Sequence, residues 1–258
     1  MFTVFGFYKF KKINLLKKKK KFLLEKILYH KIRGTIILSK EGLNGTISGL
    51  KKDIYSIIIF LKKEFKFKNF NSTNISNSSF QPFHKGKIKI KKEVVPIGIK
   101  VNSKNIKRNK YLSGKTWNKL ISKKSTVLLD TRKPFEYEVG TFKNSINPNV
   151  KHFRDLPIYL KKINKTKSIA MFCTGGIRCE KASIYLYKKG FKNVYLLKGG
   201  ILNYLKNIKK NESLWKGECY VFDNRISVKH KLKIGNYSMC SGCRTPVSTK
   251  EKKSKKYE

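Results

Sequence analysis

Residues 168–183 read Ser-Ile-Ala-Met-Phe-Cys-Thr-Gly-Gly-Ile-Arg-Cys-Glu-Lys-Ala-Ser, and this stretch predicts a fold and a chemistry together. The apolar run Ile169–Phe172 indicates a short buried strand, and a helix is expected from about Cys179. Cys173 then lies at the carboxyl end of the strand, where loop N–H groups and the positive end of the helix dipole converge on its sulfur. Such a setting lowers the pKa of a thiol and favours the nucleophilic thiolate. Taken alone, the stretch fits a buried structural cysteine equally well.

The loop after Cys173 consists of four residues, Thr174, Gly175, Gly176 and Ile177, whose glycines allow a tight curl. Arg178 follows with a fixed positive charge, which we expect to stabilise an anion at the sulfur or to orient the loop. The alternative for Arg178 is a salt bridge to Glu180 or Asp130. Cys179 is expected to be a structural thiol at the start of the helix rather than a redox partner of Cys173.

Strands and helices alternate on both sides of this loop. Val127–Asp130 and Val194–Leu197 indicate two further buried strands, and helical segments separate the three. This alternation predicts a parallel sheet with its site at the carboxyl ends of the strands. Asp130 and Cys173 both fall at such ends, which gives the cysteine the context of an active site. We expect Asp130 and Arg132 to brace the loop, with a plain structural pairing as the alternative.

Residues 1–95 have a different pattern, that of a small α+β unit. Strand candidates are Thr3–Phe7, Ile32–Leu38, Thr46–Ser48 and Lys87–Lys91, and helix candidates are Asn14–His30 and Ile54–Leu61. Asn44-Gly45 is a strong signal for a hairpin turn. Residues 69–79 are rich in Asn and Ser and are expected to form a loop. The resulting order, β-α-β-β-α-β, predicts a ferredoxin-like domain.

The composition is strongly basic, with 61 Lys and Arg against 15 Asp and Glu and a formal net charge of +46. A polyanion, most simply nucleic acid, is the partner that such a charge suggests. Compositional drift towards Lys, Asn, Ile, Phe and Tyr explains the charge equally well. The chain has no run of about 18 apolar residues and no signal-peptide pattern, so we expect a cytoplasmic protein that does not enter a membrane.

The last segment contains Cys240-Ser-Gly-Cys243, which is half of a zinc site. His230 and Cys219 are possible completing ligands, but a loose thiol pair explains the motif at least as well. The four histidines have no metal-binding spacing, and no nucleotide-binding fingerprint is present. No metal or nucleotide cofactor is therefore identifiable, and Cys240 and Cys243 are weak metal candidates.

Five motifs in order resemble the rhodanese-domain tRNA uridine(34) hydroxylases. They are Glu41–Gly49, Leu129–Arg132 with Glu136–Phe142, Cys173–Ala182, Gly190–Gly200 and Trp215–Asp223. The resemblance implies an acylphosphatase-like (ferredoxin-like) domain at 1–95, a connector at 96–122, a rhodanese domain at 123–212 and a C-terminal extension at 213–258. One departure is that the chain ends soon after Cys243, whereas family members usually carry a longer cysteine-rich tail.

The same resemblance implies an activity. It is the conversion of the wobble uridine, position 34 of tRNA, to 5-hydroxyuridine by an oxidoreductase that uses dioxygen as co-substrate. By position, Cys173 matches the active-site cysteine, and Arg178 belongs to its catalytic loop. The alternative is a rhodanese-type sulfurtransferase, in which Cys173 attacks a sulfur donor and becomes a persulfide held by loop N–H groups.

Overall fold

The computed structural model describes residues 1–99, 106 and 108–254. The first domain contains β1 (Phe2–Phe10), α1 (Leu16–Tyr29), β2 (Arg33–Ser39), β3 (Gly42–Gly49), α2 (Lys51–Glu64), β4 (Ser72–Ser78) and β5 (Gly86–Ile90). These strands form one sheet in the order β4-β1-β3-β2-β5. The first domain has the predicted order β-α-β-β-α-β, but its last strand is β4 and not the expected Lys87–Lys91. The latter segment forms most of β5, a fifth strand parallel to β2.

The two faces of this sheet have different partners because side chains alternate along a strand. On β1, Phe5 and Phe7 join the core formed with α1 and α2. Tyr8 and Phe10 instead belong to a small cluster that includes Ile177 of the second domain. The sheet therefore presents one face to its own helices and places the other against the loop that follows Cys173.

Two local predictions in this domain are wrong. Residues 72–78, expected to be part of a loop, form edge strand β4, which pairs antiparallel with β1 from Phe2↔Ser78 to Tyr8↔Ser72. The hairpin turn lies at Lys40 and Glu41, and Asn44-Gly45 lies within β3. Gly45 is required there for close packing, since a Cβ atom on it would lie 2.9 Å from the Thr35 carbonyl oxygen.

The second domain is built on a four-stranded parallel sheet, as predicted. Its order is β6-β10-β9-β7. The elements are β6 (Lys110–Leu112), α3 (Gly114–Ile121), β7 (Thr126–Asp130), α4 (Pro134–Val139), β8 (Gly140–Phe142), α5 (Leu156–Leu160), β9 (Ser168–Phe172), α6 (Ile177–Lys188), β10 (Val194–Leu197) and α7 (Gly200–Asn207). Strand β9 is central and is buried on both faces, which explains its continuous apolar sequence.

The predicted connector, 96–122, overlaps this domain. Strand β6 pairs parallel with β10, and Trp117 of α3 is fully buried in the core on one face of the sheet. Residues 110–121 therefore pack as part of the second domain. The connector sequence is basic and could lie along a nucleic-acid backbone, but three of its lysines, Lys100, Lys104 and Lys107, lie outside the described residues.

The C-terminal extension packs on both domains. It contains β11 (Trp215–Gly217), β12 (Cys219–Tyr220), β13 (Ser227–Val228), β14 (Ser238–Met239) and β15 (Pro246–Val247). Strand β11 pairs antiparallel with β8. Arg225 donates a hydrogen bond of 2.8 Å to the Ser76 hydroxyl of the first domain. None of the helices in the described ranges is long and apolar enough to span a membrane.

Candidate active site

Cys173 lies directly after β9, and its side chain is buried, with 1% of the residue exposed. The chain then curls through Thr174 and Gly175, and α6 begins at Ile177. The Gly176 N–H donates a hydrogen bond of 3.1 Å to Cys173 Sγ. The helix therefore starts two residues before Cys179, the start expected from the sequence pattern, and its amino terminus lies beside the sulfur.

The surroundings of Cys173 favour its thiolate. Burial opposes ionisation, but hydrogen bonds from the Cys179 side chain and backbone, the Arg178 charge and the Gly176 N–H together lower the pKa of Cys173 to about 6. Burial and the neighbouring Cys173 thiolate raise the pKa of Cys179 well above its ordinary value. The Cys179 thiol therefore stays protonated and donates a hydrogen bond to the Cys173 sulfur, which carries the negative charge.

The loop is fixed in place by an ion pair that sequence patterns did not identify. Arg178 binds Glu136 with both terminal nitrogens, each at 2.8 Å, and Glu136 is fully buried. Burial opposes ionisation of Glu136, but the charge and hydrogen bonds of Arg178 hold the pKa of that carboxyl below its usual range. The partner of Arg178 is thus neither Glu180 nor Asp130, the two candidates named from the sequence. A bidentate pair of this kind fixes the guanidinium plane, so Arg178 orients the loop and also places a positive charge in it.

The start of α7 closes the loop from the opposite side. The N–H groups of Ile201 and Leu202 donate to the carbonyl oxygens of Cys173 and Thr174, at 3.0 and 3.1 Å. Gly200, with φ +69°, makes this approach possible, because a Cβ atom there would lie 2.5 Å from the Thr174 oxygen. The Gly-Gly pair in the Gly190–Gly200 motif is therefore part of the loop's support.

Asp130 and Arg132 form a buried pair behind the loop. The Arg132 Nη2 atom lies 2.6 Å from Asp130 Oδ2 and donates a second hydrogen bond of 2.6 Å to the Gly140 carbonyl oxygen. Its guanidinium also lies 5.2 Å from the ring centroid of Trp215. The pair thus ties the end of β7 to β8 and to the C-terminal extension, and neither side chain contacts Cys173 among the recorded hydrogen bonds of the described residues.

The two residues after Cys179 join the domains, a role that the sequence did not indicate. Glu180 accepts hydrogen bonds of 2.7 Å from the hydroxyls of Tyr8 and Tyr111. Lys181 is fully buried and forms salt bridges with Glu41, at 2.9 Å, and with Glu93. A buried lysine requires such partners, and two first-domain carboxylates supply them.

The C-terminal cysteines do not gather metal ligands. Cys219 is buried in the core of the second domain, where burial raises the pKa of its thiol to about 12, and it is not a completing ligand for Cys240 and Cys243. In the described part of the chain, no group of three or more His, Cys, Asp or Glu is placed to hold a metal ion. The Cys243 thiol instead lies 2.8 Å from the Thr245 hydroxyl.

Comparison with known proteins gives two family matches and a full-length relative. A UPF0176 acylphosphatase-like domain matches residues 2–94, and a rhodanese-like domain matches residues 114–207. A tRNA uridine(34) hydroxylase of Pelagibacter ubique (strain HTCC1062) is 67% identical over 258 residues, which are 100% of this chain and 85% of that protein. The expected pair of domains is thereby confirmed.

Some solved structures are similar to part of the chain. A rhodanese-related protein from Thermoplasma volcanium is 25% identical, with a TM-score of 0.32 over 38% of this chain and 91% of that one. The polysulfide-sulfur transferase of Wolinella succinogenes is 23% identical, with a TM-score of 0.34 over 42% of this chain and 84% of that one.

Proposed function

The chain belongs to the tRNA uridine(34) hydroxylase family, and from this membership we propose that it hydroxylates the wobble uridine of tRNA at C5. The observation that carries the proposal is the full-length identity of 67%, which includes the first domain and the C-terminal extension as well as the cysteine loop. A sulfurtransferase requires only the rhodanese half. The other two segments both contact that half, which accords with a single working unit of all three.

Cys173 is the residue on which the proposed reaction depends. Its thiolate is favoured at neutral pH, since the surrounding donors lower the pKa of Cys173 to about 6. Arg178 and the loop Thr174–Ile177 hold that thiolate in place. Replacing C5–H by C5–OH is a two-electron oxidation of the base, which makes the enzyme an oxidoreductase. We propose dioxygen as the oxidant and co-substrate: one oxygen atom enters at C5, and the other leaves as water with two electrons and two protons from an external reductant such as a thiol.

The tRNA partner is proposed to bind chiefly through its phosphates. The net charge of +46 is large and consists almost entirely of lysine, with only seven arginines in the chain. Lysine is a flexible point charge suited to backbone contacts, whereas arginine is preferred where bases or carboxylates are read in a fixed geometry. A partner of this kind places the protein in the cytoplasm, where tRNA is modified and used.

The experiment compares wobble nucleosides by mass spectrometry in tRNA from cells that express the wild type, Cys173→Ser, or no copy of the gene. Cys240→Ser is the matched control, since Cys240 lies in the C-terminal extension, outside the Cys173 loop. We expect 5-hydroxyuridine-type nucleosides with the wild type and the control only. Their unchanged presence without the gene, in cells with no second enzyme for the reaction, would refute the proposal.

Sulfur transfer is the competing outcome of a parallel assay. Thiosulfate consumption by the purified protein that depends on Cys173, together with tRNA that stays unmodified, would instead assign the chain to the sulfurtransferases.

A further inference from the structure

A cavity of about 760 Å³ lies between the two domains, next to the cysteine loop. The first domain contributes Tyr8 and residues 69–73 to its lining, and the second contributes Asn109, Tyr111 and Glu180. The Tyr8 hydroxyl lies 3.1 Å from the position of a Cβ atom on Gly176, so this wall of the cavity adjoins the loop. The volume is within the range of small-molecule sites, roughly 300–1,000 Å³.

The Glu180 carboxylate has one oxygen occupied and one available. Tyr8 and Tyr111 both donate to Oε1, at 2.7 Å each. Burial and the nearby Glu180 charge raise the pKa of both tyrosines, so their hydroxyls remain protonated donors. Oε2 has one recorded partner among the described residues, the Asn71 amide nitrogen at 3.5 Å, which is long for a hydrogen bond. Oε2 can therefore accept a shorter hydrogen bond from a ligand.

Asn71 presents its amide nitrogen to this carboxylate, and the amide nitrogen of Asn109 lies next to Tyr111. Asn71 Oδ1 accepts a hydrogen bond of 3.0 Å from the Phe10 N–H, which directs Nδ2 to the Glu180 side. Asn109 Oδ1 accepts one of 2.6 Å from the Ser183 hydroxyl, and its Nδ2 lies 3.4 Å from the Tyr111 hydroxyl. The cavity thus presents a donor beside an acceptor, Asn71 Nδ2 and Glu180 Oε2, while Asn109 Nδ2 lies on the Oε1 side, next to the Tyr111 hydroxyl.

We propose that this cavity binds the uracil ring of the target nucleotide through this pair of polar atoms. The inference rests on the proposed function and names where the base is held and how it is selected. Uracil presents the complementary pair on one edge, where the N3–H donor lies beside the O4 acceptor. Enzymes that modify a base inside a structured nucleic acid extrude it into such a pocket and read this edge.

Cytosine is rejected by the same atoms. Its N3 is an acceptor and meets Glu180 Oε2, while its N4 amino group is a donor and meets Asn71 Nδ2. Both contacts leave buried polar groups unpaired, which is the arrangement that discriminates most strongly between related substrates. Phe70 lines the cavity as an aromatic wall, and Lys62 and Lys198 also line it and are suited to the nucleotide's phosphate.

The test measures the affinity of the full-length protein for two anticodon stem-loop RNAs that differ only in having U or C at position 34. We expect the wild type to prefer U34 by roughly tenfold or more, the scale of a lost hydrogen bond to a charged group. Glu180→Gln should remove most of this preference. Asn71→Asp should shift the U34/C34 ratio towards C34, because an aspartate accepts from the cytosine amino group where Asn71 donates to uracil O4.

The ratio of affinities is the readout because an added negative charge weakens both RNAs together. Asn164→Asp and Glu212→Gln are matched controls outside the cavity lining and should leave the ratio unchanged. Thermal unfolding identifies folded variants, and two independent substitutions, Glu180→Gln and Asn71→Asp, keep the test decisive if one does not fold. Equal wild-type affinity for U34 and C34, or an unchanged ratio in every folded cavity variant, would overturn the assignment.

Hydroxylation of the U34 stem-loop by the wild type is measured in parallel and separates the two claims. Activity that persists with an unchanged ratio refutes the cavity alone, whereas absence of Cys173-dependent hydroxylation refutes the proposed function.

Discussion

Replacing Cys179 by Ala tests the electrostatics of the cysteine loop most sharply. The Cys179 thiol and backbone both donate to the Cys173 sulfur, and the substitution removes only the thiol. The hydrogen bond from Gly176 and the charge of Arg178 remain. The variant therefore isolates one contribution to a pKa that falls from an ordinary value of 9.0 to about 6.

The expected size of the effect follows from the hydrogen bond that is lost. A hydrogen bond to a charged group contributes about 1.5–3 kcal/mol. One pKa unit corresponds to about 1.36 kcal/mol, so the pKa of Cys173 should rise by about one to two units in Cys179→Ala. Loss of the buried sulfur leaves a small cavity beside the sheet, with a cost in unfolding free energy of about 1 kcal/mol.

The assay is titration of the thiolate by its ultraviolet absorbance, taken as the difference from Cys173→Ser so that other cysteines cancel. The alkylation rate of Cys173 against pH gives an independent midpoint. Cys240→Ala is the matched control and should leave both midpoints unchanged. A wild-type midpoint near 9, or a midpoint in Cys179→Ala equal to that of the wild type, would refute the reasoning.

Three further predictions concern stability and binding. Because the folded-state pKa of Cys173 lies below its ordinary value of 9.0, the thiolate contributes fully to stability above pH 9, and this contribution is lost as the pH falls towards 6. The difference in unfolding free energy between wild type and Cys173→Ser, measured in urea, should therefore increase by up to about 4 kcal/mol from pH 6 to pH 9. A difference that does not change with pH would contradict this. Lys181→Ala leaves two carboxylates without their buried partner and should lower the unfolding free energy by about 3–5 kcal/mol. Lys115→Ala, at a side chain that is 76% exposed, should lower it by about 1 kcal/mol or less in the same denaturation experiment. Equal losses would exclude a role of Lys181 in joining the domains. The logarithm of the tRNA affinity should fall linearly and steeply with the logarithm of salt concentration, and a flat response in a salt titration would show that the charge is compositional drift.

The strands that were predicted well from the sequence are the buried ones, because burial gives them a mostly apolar composition. Strand β9 has both faces in the core, so its apolar run and the cysteine at its end were sufficient. Strand β4 was missed because its sequence, Ser-Thr-Asn-Ile-Ser-Asn-Ser, has the composition of a loop. Backbone pairing with β1 determines its structure, and an edge strand needs few apolar side chains.

The hairpin was misplaced for a related reason. Asn-Gly favours a turn locally, but Leu43 must enter the core opposite Leu38, which fixes the register of β2 and β3. That register puts the turn at Lys40 and Glu41 and leaves Asn44-Gly45 inside the strand. Tertiary packing outweighed a local preference.

The site was predictable where its residues are contiguous and was not where they come from distant segments. Cys173 and its loop stand in one stretch. Glu136, the partner of Arg178, is 42 residues away, and local patterns do not indicate such a pairing. The contacts of Lys181 with Glu41 and Glu93 depend on how two domains dock, and only three-dimensional structure brings those carboxylates together.

The central claim is that the Cys173 thiolate of this protein serves hydroxylation of uridine 34. The most direct measurement incubates purified wild type and Cys173→Ser with a thiol reductant and an unmodified tRNA that has U34, in air and without oxygen, and quantifies 5-hydroxyuridine at that position by mass spectrometry. We expect product only with the wild type in air. Cys173→Ser should give none in air, and neither protein should give any without oxygen. Equal product from Cys173→Ser, or product that forms equally without oxygen, would contradict the account.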